Sequence, residues 1–389
     1  MKNNAPWLAM LMIAGVIEPG WARQQEVIGY YPSWKWKSGA NVMTPSKIPY
    51  KKLTAINYAF FYPATDGTLA GRDPAGDELI LNGGNRSGTG LVELAHRNGV
   101  RVFLSVGGWD DSYNFPEVAG SQSTRAAFAR SCVEQLQKYG FDGIDVDWEF
   151  PCLADHKGTP DDTQNYTKLL QSARDSLEAF GRRMNRHYLL TAALPAQESR
   201  MKYYDIENVA PLLDMLNVMT YDLSGEWDSL SGHNAPLYAP VPADSDRNVD
   251  AAFRLFHATY KLPASKINLG VPFYGRTYAD CMGLYAHHKG ADTVHFADGD
   301  CFYYDVVACR DKFTRRWDDR AKVPYLVSSS WNTFVSYDDE ESVGYKARYV
   351  VDHHACGVII WEITGDYLPG GSTPLLNAID STFRAARPK

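Results

Sequence analysis

The sequence lacks the features that mark several large classes of protein. After the apolar run Trp7–Ile17, no stretch is long and apolar enough to span a bilayer, which takes about 20 such residues. The 6 cysteines include no C-x-x-C pair and no paired Cys/His spacing of a zinc site. Positive charge is not in excess, since the net charge is -7, and a nucleic-acid partner calls for a basic face. We therefore expect no membrane-spanning domain, zinc site or nucleic-acid partner.

The N-terminus has the pattern of a secretion signal. A basic residue, Lys2, precedes the short apolar run, and small residues follow as far as Ala22. A membrane anchor is the alternative, but the run is too short to cross a bilayer comfortably. We predict a signal peptide over residues 1–22 and an exported mature protein that is not attached to a membrane.

The cysteines fit an oxidising compartment. Cys132 lies in an apolar-periodic helical pattern and is expected to be a buried thiol. Two Asn-x-Ser/Thr sequons, at Asn85 and Asn165, matter only if the secretory route of the host glycosylates. Three cysteines share one short segment, which predicts a local disulfide there: Cys281, Cys301 and Cys309.

Short β-rich apolar runs alternate with amphipathic segments along the chain. The runs are Val27–Tyr31, Ala55–Phe61, Arg101–Val106, Ile144–Asp147, Tyr188–Ala192, Met215–Met219, Ile267–Val271 and Gly357–Trp361. The amphipathic segments include Thr124–Tyr139, Asn165–Phe180, Asp250–Tyr260 and Ser342–His353. Buried strands that alternate with helices indicate parallel βαβ units. Eight of them predict an α/β fold, a closed (β/α)8 TIM barrel with function at the C-terminal ends of its strands.

One segment interrupts this alternation between strands seven and eight. From Tyr278 to Val327 the sequence is rich in Cys, aromatic, His and Gly residues, with a helical stretch near Tyr304–Arg315. We interpret residues 278–327 as a small α+β insertion. The barrel then comprises residues 23–277 and 328–389.

Three acidic residues, Asp145, Asp147 and Glu149, alternate with Val146 and Trp148 at the end of the fourth predicted strand. Side chains two apart on a strand share a face, about 6 to 7 Å apart, so the three acids point the same way. Like charges disfavour each other's ionised forms, so the group holds at least one proton. Such crowding is how enzymes keep one carboxyl protonated as a general acid near neutral pH.

Two other interpretations stay open from these residues alone. Clustered carboxylates also bind hard cations, so a metal site is one alternative. A solvated acidic loop is the other, although the apolar residues Ile144, Val146 and Trp148 between the acids favour a strand. We favour catalysis over a metal site, and both over a solvated loop.

Five ordered motifs lie at or after the predicted strands. They are Phe141–Glu149 on strand four, Ser105–Trp109 at strand three, Met219–Asp222 at strand six, Tyr274–Arg276 after strand seven, and Trp361 with Glu362 at strand eight. These motifs resemble the signatures of glycoside hydrolase family 18, the chitinases. The similarity extends from Val27 to about Phe383.

The resemblance implies a retaining, substrate-assisted mechanism, in which the acetamido carbonyl of the substrate is the nucleophile. Glu149 would be the general acid and base, Asp147 would hold the acetamido N–H, and Tyr221 would orient the acetamido carbonyl. Asp145 would share a proton with Asp147 from deeper in the barrel.

The resemblance also implies residues that bind substrate or shape the site. Ser105 and Tyr30 are expected to hydrogen-bond Asp145, and Trp361 is expected to form the floor under the sugar that loses its glycosidic bond. Three motif positions are expected to be structural: Asp142, Gly107 and Gly108. The predicted substrate-binding set is Tyr30, Tyr58, Ser105, Trp109, Met219, Asp222, Trp227, Tyr274, Arg276 and Trp361.

The implied activity is hydrolysis of β-1,4 bonds between N-acetylglucosamine units of chitin by an exported monomer, with no cofactor and no metal. The alternatives are an endo-β-N-acetylglucosaminidase acting on glycoprotein or peptidoglycan glycans, a metal-dependent hydrolase, and a non-catalytic chitin-binding lectin. Lectin-like members lose the terminal Glu or the paired Asp, and this sequence keeps both. The insertion is shorter than is usual in the family, which predicts a shallower cleft and internal cleavage of the polymer.

Overall fold

The computed structural model describes residues 25–37, 42–84, 88–242 and 245–387. The predicted signal peptide and the sequon at Asn85 lie outside these residues. In the described chain the strands are β1 Glu26–Pro32, β2 Ala55–Pro63, β3 Leu69–Gly71, β4 Arg101–Gly107, β5 Gly143–Asp147, β6 Leu189–Pro195, β7 Met215–Met219, β8 Ile267–Pro272, β9 Tyr274–Ala279, β10 Asp300–Phe302, β11 Thr314–Asp318, β12 Val323–Ser328, β13 Thr333–Ser336 and β14 Gly357–Trp361. The α-helices are α1 Pro74–Asn82, α2 Leu91–Arg97, α3 Phe115–Gly120, α4 Gln122–Tyr139, α5 Asp162–Met184, α6 Glu198–Met201, α7 Ile206–Val209, α8 Val249–Arg254, α9 Tyr303–Ala308, α10 Glu340–Asp352 and α11 Pro374–Ala385.

Eight parallel strands form a closed barrel. They pair in the order β1, β2, β4, β5, β6, β7, β8 and β14, and β14 pairs back onto β1. The short strand β3 forms an antiparallel hairpin with β2. All eight predicted strands are present, so the predicted (β/α)8 barrel is confirmed.

Alternation along β1 divides the core into two parts. Ile28 and Tyr30 point into the barrel and pack in a cluster with Phe103 and Ile359. Tyr31 belongs to the larger cluster between the barrel and its helices. Inward-facing side chains from the C-terminal ends of all eight strands therefore surround a single mouth.

The helices carry their own start and stop signals. α4 begins where Ser121 Oγ accepts a hydrogen bond from the N–H of Thr124, and it ends at Gly140, whose φ of 78° suits glycine. The side chain of Asp339 caps α10 by accepting from two N–H groups of its first turn. The four predicted helices are confirmed, although α8 gives way to a π-helical turn. Within the described ranges, no helix is both long and apolar enough to cross a bilayer.

The insertion between β8 and β14 is wider than predicted. Its antiparallel sheet has the order β10-β9-β13-β12-β11, so it runs from Tyr274 to Ser336 and not from 278 to 327. The predicted helix near 304–315 is also too long, because α9 ends at Ala308 and β11 begins at Thr314. The error has a physical cause: β9 pairs with β13 from the far end of the insertion, and local patterns do not reveal such a pairing.

A buried ion pair fixes the chain where it leaves the insertion. Lys346 of α10 donates to both carboxyl oxygens of Asp338, at 2.7 and 2.6 Å, and both side chains are 2% exposed. Burial lowers the pKa of Lys346 and raises the pKa of Asp338. Removing one partner of such a pair is strongly destabilising, so the pair holds the sheet against the barrel.

All 6 cysteines lie in the described part of the chain, and none forms a disulfide. The predicted local disulfide is therefore wrong. Cys301 lies opposite Gly275 at one end of β9, whereas Cys281 follows the other end and Cys309 follows α9. Cys132 is the buried thiol that was predicted, and burial raises its pKa.

Candidate active site

The three acidic residues lie at the C-terminal end of β5, in the barrel mouth. Asp145 is fully buried, Asp147 is 3% exposed, and Glu149, just past the end of the strand, is partly exposed. Val146 and Trp148 face the other way, into the cluster between barrel and helices. The predicted alternation along this segment is confirmed, and it sets the acids in order from the floor of the site to its rim.

Asp145 accepts four hydrogen bonds from neighbouring strands. Tyr30 Oη and Ser105 Oγ each donate to Oδ2 at 2.8 Å, which confirms the two predicted bonds. Thr191 Oγ1 and Asn217 Nδ2 donate to Oδ1 at 2.6 and 2.9 Å. Burial raises the pKa of Asp145, and these donors act against that rise.

The donors Thr191 and Asn217 are missing from the sequence prediction. Pairing of β5 with β6 aligns Asp145 with Thr191, and Asn268 Nδ2 supports Asn217 by donating to its Oδ1 at 2.9 Å. A polar residue inside an otherwise apolar barrel strand is the available signal, because an inward polar side chain needs a buried partner.

Asp147 has the opposite environment. Its Oδ1 is buried and meets no hydrogen-bond partner among the described residues. Burial raises its pKa, and the charges of Glu149 and Asp145 add to the rise. Both oxygens of Asp145 accept from other donors, and the proton shared between Asp145 and Asp147 stays a prediction. An unused buried acceptor costs about 1–3 kcal/mol, so a ligand donor is favoured there.

Glu149 is held in a setting that keeps its carboxyl protonated. Burial raises its pKa to about 8, and the negative charges of Asp222 and Asp110 add to the rise. Its backbone N–H donates to Ser112 Oγ at 2.8 Å, and its carbonyl lies 2.6 Å from Nδ1 of His156. At neutral pH the group therefore carries the proton that a general acid needs.

Two glycines, the last residue of β4 and the one after it, let the chain approach β5 closely. Gly107 has a φ of 117° and Gly108 a φ of 81°. A Cβ on Gly107 would lie 2.1 Å from the carbonyl oxygen of Asp147, and the N–H of Gly108 donates to that oxygen at 2.8 Å. The positive φ angles and the close approach favour glycine at both positions.

One wall of the mouth is built from the loop after β7 and from β9. Tyr274 Oη and Arg276 Nε donate to Asp222 Oδ1 at 2.7 and 2.9 Å. The Arg276 guanidinium lies 5.0 Å from the ring centre of Trp227, which is 57% exposed. Burial, with nearby Asp147, raises the pKa of Tyr221, so its hydroxyl stays a donor. The residues of this wall on the loop and on β9 were all predicted as substrate-binding or catalytic positions. They are Tyr221, Asp222, Trp227, Tyr274 and Arg276.

The floor of the mouth is aromatic. Trp361, at the end of β14, is partly exposed and stacks on Phe60 with ring centres 5.6 Å apart. The edge of Tyr30 supports it at 5.5 Å, and Met219 packs against the same hydrophobic cluster. Trp361 thus offers a fixed, partly exposed ring face in the barrel mouth, and its role as a sugar platform stays a prediction.

Three predicted substrate-binding residues do not reach the surface of the mouth. Tyr58 is fully buried on the helix side of β2, where its hydroxyl donates to Asp77 at 2.5 Å, so its assignment to the site is wrong. Tyr30 and Ser105 are 1% and 0% exposed. They contact Asp145 from below, so they act through that carboxylate and not on a ligand directly.

Asp142, which is predicted to be structural, contacts three other segments of the chain. Its Oδ2 accepts from the N–H of Val102 at 2.6 Å and lies 2.9 Å from Nε2 of His96. Arg186 contacts its other oxygen. The carboxylate therefore ties β4 and the chain before β6 to the start of β5, at the end of the barrel remote from the mouth.

The carboxyls suit acid–base chemistry better than metal binding. In the part of the chain that the structure describes, no group of three or more His, Cys, Asp or Glu side chains is arranged to hold a metal ion. Asp145 has committed both oxygens to four donors, which leaves it poorly placed as a ligand. The site therefore combines an acid with a raised pKa, Glu149, a buried acceptor on Asp147 and an aromatic floor.

Known proteins share this arrangement of sequence and fold. The sequence model of glycosyl hydrolases family 18 matches residues 26–366. Chitinase A1 of Niallia circulans is 35% identical over 94% of this chain, which spans 61% of that protein. The group IV chitinase of Ostrinia furnacalis, solved with allosamidin, superposes with a TM-score of 0.84 at 28% identity, covering 94% of this chain and 100% of that one.

A second solved structure widens the range of activities among the relatives. The family 18 N-acetylglucosaminidase of Paenibacillus barengoltzii is 33% identical, with a TM-score of 0.76, over 92% of this chain and 99% of that one. The family match covers most of the sequence and all five motifs, and the fold agrees with it. The chain therefore belongs to glycoside hydrolase family 18.

Proposed function

We propose that this protein hydrolyses β-1,4 bonds between N-acetylglucosamine units of chitin, with Glu149 as general acid and base. The observation that carries the proposal is the contrast on β5: Glu149 has its pKa raised to about 8, while Asp147 beside it has a buried oxygen without a donor. Relatives named as chitinases support the choice of polymer.

In the first step, the proton of Glu149 passes to the glycosidic oxygen as the bond from that oxygen to the anomeric carbon breaks. The acetamido carbonyl of the same sugar forms the new bond to the anomeric carbon. Asp147 accepts the acetamido N–H and offsets the positive charge of the cyclic intermediate, while Tyr221 donates to the carbonyl oxygen. The sugar lies on Trp361.

In the second step, the Glu149 carboxylate takes a proton from water while the water oxygen attacks the anomeric carbon. The bond to the acetamido oxygen breaks, and the acetamide is restored. Two inversions at one carbon give retention of configuration. Four donors hold Asp145 in place beneath Asp147 throughout.

Product analysis on N-acetylglucosamine hexamers with anomer-resolved detection tests the activity and the mechanism together. We expect fresh products in the β configuration and no cleavage of the fully deacetylated hexamer, which lacks the nucleophile. Cleavage of that deacetylated oligomer at a comparable rate, or fresh α products, would overturn the mechanism. Release of monomer alone from the first minutes would instead favour an exo-acting N-acetylglucosaminidase. The Paenibacillus relative is named as an N-acetylglucosaminidase.

We also propose that the protein is exported as a monomer after removal of residues 1–22. The basic start, short apolar run and small residues near Ala22 support this. N-terminal sequencing of protein from the culture medium or periplasm checks the cleavage site, and light scattering checks the monomer. A full-length chain that stays with the membrane fraction would contradict the proposal.

A further inference from the structure

Glu149 lies beyond the last sheet pairing of its strand. The register of β4 with β5 ends at Gly107 opposite Asp147, so no neighbouring strand holds the backbone of Glu149. Two side chains hold it instead. Ser112 Oγ accepts from its N–H at 2.8 Å, and Nδ1 of His156 lies 2.6 Å from its carbonyl oxygen. Because the carbonyl only accepts, Nδ1 of His156 carries the hydrogen.

The imidazole of His156 has a second contact, with aromatic rings at the rim. Its ring centre lies 4.5 Å from that of Trp109 and 4.4 Å from that of Tyr113. His156 is 2% exposed, whereas Trp109 is 54% and Tyr113 is 45% exposed. The imidazole thus supports the exposed rings from beneath while it holds the backbone of Glu149.

We propose that His156 is a positioning residue that sets the place of Glu149 relative to the sugar on the leaving side of the bond. This inference rests on the proposed function, with Glu149 as the acid. Fixing both the N–H and the carbonyl of Glu149 fixes the Cα from which its carboxyl reaches the glycosidic oxygen. Trp109 beside it offers a face for the leaving sugar, so one imidazole locates both the acid and the group that receives its proton.

Two substitutions separate the two contacts of His156. His156→Phe keeps a ring between Trp109 and Tyr113 but removes the donor to Glu149. His156→Asn places an N–H near the position of Nδ1 and removes most of the ring. Both variants are measured as the full chain on the N-acetylglucosamine hexamer and on a chitobiosyl glycoside whose leaving group is 2,4-dinitrophenol, which departs without protonation.

We expect His156→Phe to lower kcat/KM on the hexamer about tenfold, because a buried carbonyl loses its donor and the acid shifts. On the dinitrophenyl glycoside the same variant should stay within about twofold of the wild type, since that step needs no acid. We expect His156→Asn to keep kcat and to raise KM for the hexamer about threefold to tenfold, through the lost ring contacts.

Thermal unfolding of both variants accompanies the kinetics. Equal losses on both substrates would show that His156 serves only folding, and unchanged kinetics in both variants would show that it serves neither role. Either result overturns the inference and leaves the proposed function intact. If the wild-type protein leaves the hexamer uncut, the proposed function itself fails, and this inference fails with it.

Discussion

The acidic segment Asp145–Glu149, at the end of β5, has carboxyl groups in opposite environments at its inner and outer ends. At the inner end, Asp145 accepts from four side chains of four different strands. At the outer end, Asp147 has a buried oxygen that meets no partner among the described residues, and Glu149 is held by its backbone while its carboxyl is left unbonded to any donor named in the site. The inner end is complete as a folded structure, and the outer end leaves bonding capacity for a ligand.

This difference follows from the position of each residue in the barrel. The layer at Asp145 is enclosed by neighbouring strands, so inward polar groups satisfy one another there. Past Asp147 the ladder ends, and loops supply the contacts. A charged group that is buried but unsatisfied is unfavourable for folding and useful for chemistry, because its pKa is raised and its acceptors are free.

The largest expected effect tests the outermost residue. Glu149→Gln should lower kcat on the hexamer by a factor of about 100 to 10,000, because a neutral amide gives no proton. Binding of N-acetylglucosamine oligomers to this variant should stay measurable by calorimetry, since the floor and wall are intact. Glu117→Gln, at an exposed carboxylate on α3, is the matched control and should keep wild-type turnover. A Glu149→Gln variant with near wild-type kcat would remove Glu149 from the mechanism.

The next pair of variants tests the contrast between the ends directly. Asp147→Asn should lower kcat about 100-fold or more, through the lost charge beneath the intermediate, without destabilising the fold. Asp145→Asn should destabilise the protein by about 1–3 kcal/mol, because its NH2 group meets donors where an oxygen accepted. Kinetics with chemical denaturation of each variant give both quantities. Equal destabilisation by the two substitutions would contradict the contrast.

The stability of the Asp147 variant should also depend on pH with a defined sign. The folded protein raises the pKa of Asp147, so it binds the proton more tightly than the unfolded chain does. The free energy of unfolding of the wild type therefore falls as the pH rises from the ordinary pKa of an aspartate toward the raised pKa of Asp147. Asp147→Asn has no carboxyl at this position, so it does not show that loss. The free energy of unfolding of the variant should rise relative to that of the wild type as the pH is raised above about 4, the ordinary pKa of an aspartate.

The barrel and its acidic segment could be predicted because their signals are local. Runs of buried residues mark each strand, and alternation at Asp145, Asp147 and Glu149 gives a shared face. Tyr58 was misassigned although it lies on a predicted strand. The register of β2 against β4 shifts between Tyr58 and Phe61, and the parity of inward positions changes at such an irregularity.

The remaining features depend on contacts between distant segments. The bounds of the insertion follow from the pairing of β9 with β13, which no local pattern reveals. His156 is a single histidine between β5 and α5. Its proposed role depends on its contacts with Glu149, Trp109 and Tyr113, which are distant from the pattern of any one strand or helix. A periodic sequence pattern carries no information about such a residue.

The smallest expected effect concerns the charge field at the outer end. Loss of the Glu149 proton should make kcat/KM fall as pH rises through about 8 in the wild type. Asp110 is exposed on the loop after β4, and its charge contributes to the raised pKa of Glu149. Asp110→Asn removes one negative charge, so the ionised form of Glu149 becomes less unfavourable. The alkaline limb of the profile of kcat/KM against pH should then move to lower pH by about half a unit or less.

The neighbouring residue Asp111 provides the control for this shift. Its carboxylate accepts from Arg72 at 2.9 Å and 2.7 Å, so its charge is largely compensated. Asp111→Asn should leave the alkaline limb in place, whereas Asp110→Asn moves it. A limb that moves equally in both variants would mean that the loop as a whole, and not the charge of Asp110, tunes Glu149. A limb that moves to higher pH in Asp110→Asn has the wrong sign for the Coulomb effect, and a limb that stays in place would assign the raised pKa to burial and Asp222 without Asp110.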